Sequence, residues 1–387
     1  MSYKPHFSRF LAARPGRVHC CAHSHHPWPD VSFEAQAQAW LDAAELADAK
    51  WDKIFGEVIP KAQGHLARLL HLPDPKTIAL APSTHDFLTR ILASIPARPF
   101  KVLTTDGEFH SFTRQIRRLQ EDKLCEVERV PVEPFASFAE RFAEAAKKGG
   151  HDLVFFSQAF FNSGFALQEL EPLVKAVPDS RTLVVIDGYH GFMAMPTDLS
   201  RIAARAFYLG GGYKYAMSGE GAGYMHCPPG YLPRPLYTGW FAGFGHLSGA
   251  QDEVVPYTAD AARFMGATYE PTPLYRFNAV MDLLQSLHLT PGIIHAHVQS
   301  LQVMFLDRLD KLWLKGLNST FLVPPRGTPR GNFLTFRHPA AGELHRRLLL
   351  LNVVTDYRED RLRIGFGVYH DLADVDELVG RIQAVKL

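Results

Sequence analysis

The stretch FYLGGGYKYAMSGEGAGYMHC, residues 207–227, runs from an apolar strand pattern through three glycines to one lysine between two tyrosines, and then into a second strand pattern. Upstream, TLVVIDGYHGF (182–192) has the same form: the apolar residues of a buried strand lead straight into Asp187, and His190 follows in the next turn. Functional groups placed just beyond buried strands mark the edge at which open α/β sheets bind ligands. Glycine at such a strand end lets the backbone approach a bulky group closely.

The rest of the chain extends this pattern. TIALA (77–81), KVLTT (101–105), DLVFFSQ (152–158), TLVVID (182–187), AFYLG (206–210) and AGYMHC (222–227) read as strands. Between them DFLTRILASI (86–95), FTRQIRRLQEDK (112–123) and FASFAERFAEAAKKGG (135–150) have helical period, the last closed by glycine. The alternation predicts an α/β fold, with a large domain built on a mostly parallel seven-stranded sheet. Beyond about residue 255, long helical patterns at 273–289 and 293–316 precede NFLTFRH, NVVTDYRED, LRIGFG and a last helix at 374–385, which predicts a smaller α+β domain. The expected division is an N-terminal segment, 1–50, packing on the small domain and the active site, a large domain, 51–255, and a connection with the small domain, 256–387.

With 387 residues, of which 47% are hydrophobic, the chain can bury a large core, and a net charge of +1 asks for neither nucleic acid nor an anionic membrane surface. The start has no apolar leader of signal-peptide type and no apolar run reaches the length of a membrane span, so a cytoplasmic protein is expected. Four cysteines, unevenly placed, are poor material for a disulfide framework.

A carboxylate at the tip of a buried strand is costly to desolvate unless a cation meets it, and a protonated pyridine nitrogen would be such a partner for Asp187. Pyridoxal 5′-phosphate requires a lysine for a Schiff base, a carboxylate for its ring nitrogen, a ring against its face and donors for its phosphate. In chain order the sequence offers Ser83 and Thr84, Phe109, Asp187 with His190, and Lys214. The plain alternatives are a surface lysine, a packed phenylalanine, a core histidine and an ordinary helix cap at Ser83-Thr84.

On these residues the chain resembles the fold-type-I pyridoxal-phosphate enzymes of the class V aminotransferase superfamily, and within it most of all the kynureninases. DGYH matches the family's Asp-x-x-His pair and GGYKY its Gly-Tyr-Lys, so the resemblance implies Lys214 as the Schiff-base lysine and Asp187 as the ring-nitrogen partner. Tyr213 would touch the phosphate or move protons, or simply pack. GWFAGFGH (239–246) resembles the family's Gly-Trp-Phe-Gly-His segment, which implies that Trp240, together with Thr268, serves the cofactor of the partner subunit in a homodimer. DYREDRLRIGF matches the Arg-Ile element, which assigns Arg363 to the substrate α-carboxylate; a guanidinium fork suits that task.

The segment His19-Cys20-Cys21-Ala22-His23-Ser24-His25-His26 looks at first like a metal site, but it lacks CxxC or HxxxH spacing and no metal is expected. The resemblance instead lays Ser24 and His25 beside the substrate. Departures gather on that side: Phe109-His110-Ser111-Phe112 lacks the aspartate of the family's Phe-Pro-Ser-Asp, and FMGATYEPTP lacks its Asn-Pro-Pro. The cofactor half agrees with kynureninase and the substrate half does not. The implied activity is kynureninase-like hydrolytic Cβ–Cγ cleavage of an α-amino acid through Lys214. The alternatives are a class V aminotransferase, a C–S or β-elimination lyase, and a non-catalytic cofactor-binding protein. A cysteine desulfurase is disfavoured, because no cysteine follows residue 227.

Overall fold

The computed structural model describes residues 2–246, 253–312 and 317–385. Its main sheet contains β1 (Ile78–Ala81), β2 (Phe100–Thr105), β3 (Cys125–Val130), β4 (Leu153–Ser157), β5 (Leu183–Asp187), β6 (Ala206–Gly211) and β7 (Gly223–His226). The strand order is β1-β7-β6-β5-β4-β2-β3, with β7 antiparallel to both neighbours and the other pairings parallel. Residues of β4 and the apolar part of β5 are buried on both faces, as a parallel sheet covered by helices on each side requires. This is the expected α/β class and seven-stranded sheet.

Six of these strands match segments read from sequence; β3 does not. Its sequence, CEVERV, carries three charged residues, and it lies at the sheet edge, where charge blunts the open row of backbone groups. The helix read at 135–150 is a short 3-10 turn followed by Phe138–Lys147, after which Gly149 and Gly150 take positive φ of 70° and 77°. The helix read at 293–316 spans Pro291–Lys311, and residues 313–316 lie outside the described residues.

A second sheet holds β8 (Phe333–Arg337), β9 (Asp356–Arg358) and β10 (Arg361–Gly365), antiparallel in the order β9-β10-β8. It packs with Pro291–Lys311, Ala341–Leu350 and Leu372–Gln383 around a core of its own, in which Phe305, Phe336, Leu362 and Ile364 are buried. The N-terminal segment joins this second unit: Val18–His19 pairs with Val353–Val354, and Cys21 bridges to Gly365. Among the described residues, no helix is long and apolar enough to cross a membrane.

Candidate active site

The C-terminal ends of β5 and β6 bring the two motifs together. Asp187 closes β5, and its Oδ1 accepts the Tyr189 N–H at 2.8 Å, which curls the following turn and swings His190 inward. β6 ends at Gly211, and Lys214 stands in the next turn with its Nζ 2.5 Å from His190 Nε2. The Tyr189 ring centre lies 5.7 Å from the same ammonium nitrogen. The glycines around this cluster make room, as expected, but for the protein's own tyrosines. A Cβ at Gly188 would fall 2.1 Å from Tyr208 Oη, one at Gly210 2.3 Å from Tyr224 Oη, and one at Gly211 2.8 Å from the Tyr189 ring.

Burial dominates the electrostatics here. It lowers the Lys214 amine to about 7, with the Arg363 charge acting the same way and Asp187 and Asp356 opposing. Burial, then Lys214, holds His190 well below its ordinary range, so the imidazole is neutral. Burial raises the Asp187 carboxyl, against the Tyr189 N–H and the Lys214 charge.

Around this centre the other expected residues fall as follows. Ser83 caps the helix Thr84–Ser94: its Oγ accepts the Asp86 N–H at 3.4 Å and donates to Asp86 Oδ2 at 2.5 Å. Thr84 is the first residue of that helix, where backbone N–H groups are free for an anion. Phe109 precedes the helix His110–Glu121, is exposed, and meets Phe161 edge-on at 5.2 Å. Tyr213 is half-buried, with His25 at 5.8 Å between ring centres; His25 is exposed and Ser24 half-buried. Trp240 Nε1 donates to Thr268 Oγ1 at 3.0 Å, so these two meet each other; the side chains of 244–246 in the same motif lie outside the described residues.

Arg363 is 3% exposed. Its Nη1 donates to the Phe161 carbonyl at 2.6 Å and its Nη2 to Asp356 Oδ2, while Nε is buried without a partner. Asp356 and Arg363 are direct cross-strand partners in the β9–β10 ladder, and Arg358 reaches Asp356 Oδ1 at 2.7 Å. Asp356 was not anticipated. Neither was His23, which is fully buried, stacks on Phe333 at 4.6 Å and points Nε2 at Asp356 Oδ2 from 3.8 Å. Cys21, His23 and Asp356 place their polar atoms within 4.8 Å of one another, but Asp356 already serves two arginines there, and His19 and His26 of the same segment are engaged elsewhere. His19 Nδ1 meets the Tyr369 hydroxyl at 2.8 Å and His26 Nδ1 donates to the Pro27 carbonyl at 2.8 Å.

A third unanticipated residue is Glu108, buried beside Phe109. It accepts from Thr105 Oγ1 at 2.6 Å and from Ser157 Oγ at 2.5 Å, and burial pushes it up to about 7. Ser157 is the register partner of Asp187. The sequence signal was an acidic residue in the turn just past a buried strand, akin to the strand-end carboxylate that marked Asp187.

These residues fit pyridoxal phosphate. An amine near neutrality can carry an aldehyde, Asp187 is a strand-end carboxylate that burial raises, and the buried His190 Nδ1 has no partner. The comparisons agree. At 31% identity over 211 residues, isopenicillin N epimerase of Streptomyces clavuligerus matches 51% of each chain. Kynureninase of Deinococcus radiodurans is 27% identical over 219 residues, 55% of this chain and 52% of that one. The chain thus spans about half the length of the curated relatives it matches. Two solved structures share the fold at low identity. The cystine C–S lyase C-DES has a TM-score of 0.82 at 17% identity, covering 96% of this chain and 99% of that one. Cysteine desulfurase from Thermococcus onnurineus NA1 has 0.82 at 16%, covering 98% and 96%. The profile of the Aminotransferase class-V family matches residues 47–341, well over half of the sequence and the whole of the Asp187–Lys214 cluster, so the chain belongs to this family of pyridoxal-phosphate enzymes.

Proposed function

We propose that this protein acts on an α-amino acid, with Lys214 carrying the cofactor and moving the Cα proton. The observation that carries the reading is the 2.5 Å contact between the Lys214 amine and the His190 imidazole, one strand away from Asp187. When bound, pyridoxal phosphate supplies an electron sink for charge developing at Cα. Lys214, held near neutrality, can both take and return a proton at neutral pH. Asp187 would hold the ring nitrogen, His190 and Phe109 the ring, and Ser83, Thr84 and Tyr213 the phosphate. Because Ser83 is engaged with Asp86, Thr84 and the helix N–H groups would take the larger part of that phosphate. Arg363 would hold the substrate carboxylate, with Ser24 and His25 at the border of the site. Trp240 and Thr268 would complete the neighbouring site of a homodimer. The division at residues 50 and 255 belongs to the same proposal.

For the reaction itself, kynureninase-like hydrolysis of a Cβ–Cγ bond is supported by the DGYH and GGYKY motifs and by kynureninases among the relatives. A second reading, in which the chemistry ends at Cα or Cβ as in epimerisation, transamination or β-elimination, is supported by the missing aspartate after Phe109 and by the 31% identity to an epimerase. Product analysis of the holoenzyme separates them. Hydrolysis releases alanine and an aryl carboxylic acid from an aroyl-alanine. Elimination releases pyruvate from an S-substituted cysteine, transamination gives a keto acid, and epimerisation gives the amino acid inverted at Cα. Failure of every amino acid tested to exchange its Cα hydrogen with deuterated solvent would overturn the catalytic reading and leave a binding protein.

A further inference from the structure

We propose that Asp356 occupies, in the resting protein, the place at Arg363 that a substrate carboxylate takes, and that binding moves Asp356 off Arg363 onto His23 and Arg358. The proposal rests on Arg363 as the carboxylate anchor and concerns how that anchor is kept and released.

Three observations require an account. Arg363 is buried and already paired, with Nη2 on Asp356, Nη1 on the Phe161 carbonyl and Nε closed off from solvent. A ligand carboxylate therefore cannot form a bidentate pair until one of these partners yields. Phe161 presents a backbone carbonyl, fixed by its chain, whereas Asp356 is a side chain on a two-residue hairpin with a second cation at hand: Arg358 holds Oδ1 at 2.7 Å. Finally, His23 is fully buried with both ring nitrogens unpartnered, an expensive state for an imidazole. Its Nε2 lies 3.8 Å from the same Oδ2 that Arg363 holds, too far for a hydrogen bond and near enough to receive that oxygen after a small side-chain shift.

The hydrogen-bond inventory closes only if both states are considered. At rest Arg363 has Asp356, and His23 has no partner. With ligand bound, Arg363 has the ligand carboxylate, Asp356 has Arg358 and His23, and the imidazole gains the acceptor it lacked. No charge is left orphaned in either state, which matters because an unpaired buried guanidinium is strongly destabilising. The site around His23 is built for this: Gly365 leaves room for the ring, since a Cβ there would lie 2.3 Å from His23 Nδ1. Burial, and after it the Arg363 charge with His190, Lys214 and His19, holds the His23 imidazole well below its ordinary range, so it stays neutral and acts as an N–H donor. The device makes Asp356 a specificity residue: amines without a carboxylate cannot displace it.

The test is calorimetric titration of the holoenzyme with 3-phenyllactate, which carries an α-carboxylate but no amine to react with the cofactor. If the free anchor is populated at about one part in ten, removing the internal competitor tightens binding roughly tenfold, so Asp356→Asn should lower the Kd by that factor. His23→Phe, which keeps the stack on Phe333 but removes the donor, should weaken binding, and Arg358→Gln should do the same. In the Asp356→Asn background both effects should vanish, because no displaced charge then needs a partner. Weaker or unchanged binding by Asp356→Asn would show that the aspartate only positions the arginine and would overturn the exchange. Binding that is indifferent to Arg363→Lys would instead sink the carboxylate-anchor assignment itself, which distinguishes the two failures.

Discussion

Lys214 Nζ and His190 Nε2 lie 2.5 Å apart, and the imidazole is held neutral, so the lysine amine donates into a lone pair rather than facing a second cation. The amine is therefore a nucleophile near neutral pH. In cofactor-free protein, reductive methylation or arylation of Lys214 should follow a titration with its midpoint at about 7, whereas an ordinary lysine titrates near pH ~10.4. Peptide mapping across a pH series reads both classes in one sample. A Lys214 midpoint among the other lysines would contradict the buried geometry.

The cofactor prediction uses the same residue. Protein purified with pyridoxal phosphate should be yellow, and borohydride should bleach it while fixing the cofactor mass on the peptide that contains Lys214. Lys214→Ala should still bind the cofactor through Asp187 and the Thr84 helix start, but reversibly, and borohydride should fix nothing. A colourless protein that stays so with added cofactor would overturn the assignment.

Much of this was legible in the sequence because the signals are local. Asp187 ends a buried strand and Lys214 lies in the turn just past another, and strand ends are visible as a change from apolar to polar residues. What was not legible depends on pairing across the chain. The meeting of Asp356 and Arg363 needs the β9–β10 register, set by a two-residue turn at Glu359-Asp360 in which Glu359 takes a φ of 52°. Glycine or asparagine would have advertised such a turn, and glutamate does not. His23 reaches Asp356 only because the N-terminal segment docks on β10, a contact across more than three hundred positions. The edge strand β3 was hidden by the charges that protect it.

Arg363 and Arg361 give a paired test of the second sheet. Arg363→Lys keeps the charge but loses the fork, and truncating a buried hydrogen-bonded charge pair costs roughly 2–5 kcal/mol, so kcat/KM should fall by about thirtyfold to several thousandfold. The cofactor spectrum should not change. Arg361 lies on the same face of β10, yet it donates to the Asn162 carbonyl at 3.2 Å and approaches the exposed Glu133 at 3.6 Å and Asp360 at 3.8 Å. Arg361→Lys should therefore change steady-state kinetics less than about threefold, in keeping with the small worth of exposed pairs. If Arg361→Lys were the damaging change, the carboxylate would be held elsewhere.

Gly210 and Gly380 test whether the glycines of the site are there for space. A methyl at Gly210 would lie 2.3 Å from the hydroxyl of buried Tyr224, and overpacking of this kind costs about 1–3 kcal/mol. Gly380 sits inside the helix Leu372–Gln383 with nothing within 4 Å of a built Cβ, so Gly380→Ala should stabilise by about 0.5–1 kcal/mol. Denaturant titrations of the two variants should move in opposite directions. A neutral Gly210→Ala would mean that the Tyr224 ring can shift.

The buried histidines set the acid limit of the fold. His370 accepts the Gly367 N–H on Nδ1 at 2.9 Å and donates from Nε2 to the His19 carbonyl at 2.7 Å, so protonation must break an acceptor bond. His226 donates from Nε2 to the Ala203 carbonyl at 2.8 Å and meets Thr77 Oγ1 at 3.0 Å through Nδ1, so burial, rather than a lost acceptor bond, opposes its protonation. Burial lowers both to about 4 and His26 to about 3. An unfolded histidine binds its proton near pH ~6.5, so below that value the unfolded chain holds more protons than the folded one. The stability these groups contribute is thus complete above the unfolded pKa and is lost as pH falls from there toward about 4. Each such group adds a slope of roughly 1.4 kcal/mol per pH unit in the middle of that window. Urea midpoints should fall between pH 6 and 5, before most carboxylates titrate, with Glu108, which burial pushes up to about 7, offsetting one proton's worth of that slope. His226→Gln, with an uncharged amide that can serve the same two neighbours, should reduce the steepness by about one proton's worth. An identical slope in the variant would show that His226 is protonated in the folded protein across this range and that burial does not hold it neutral.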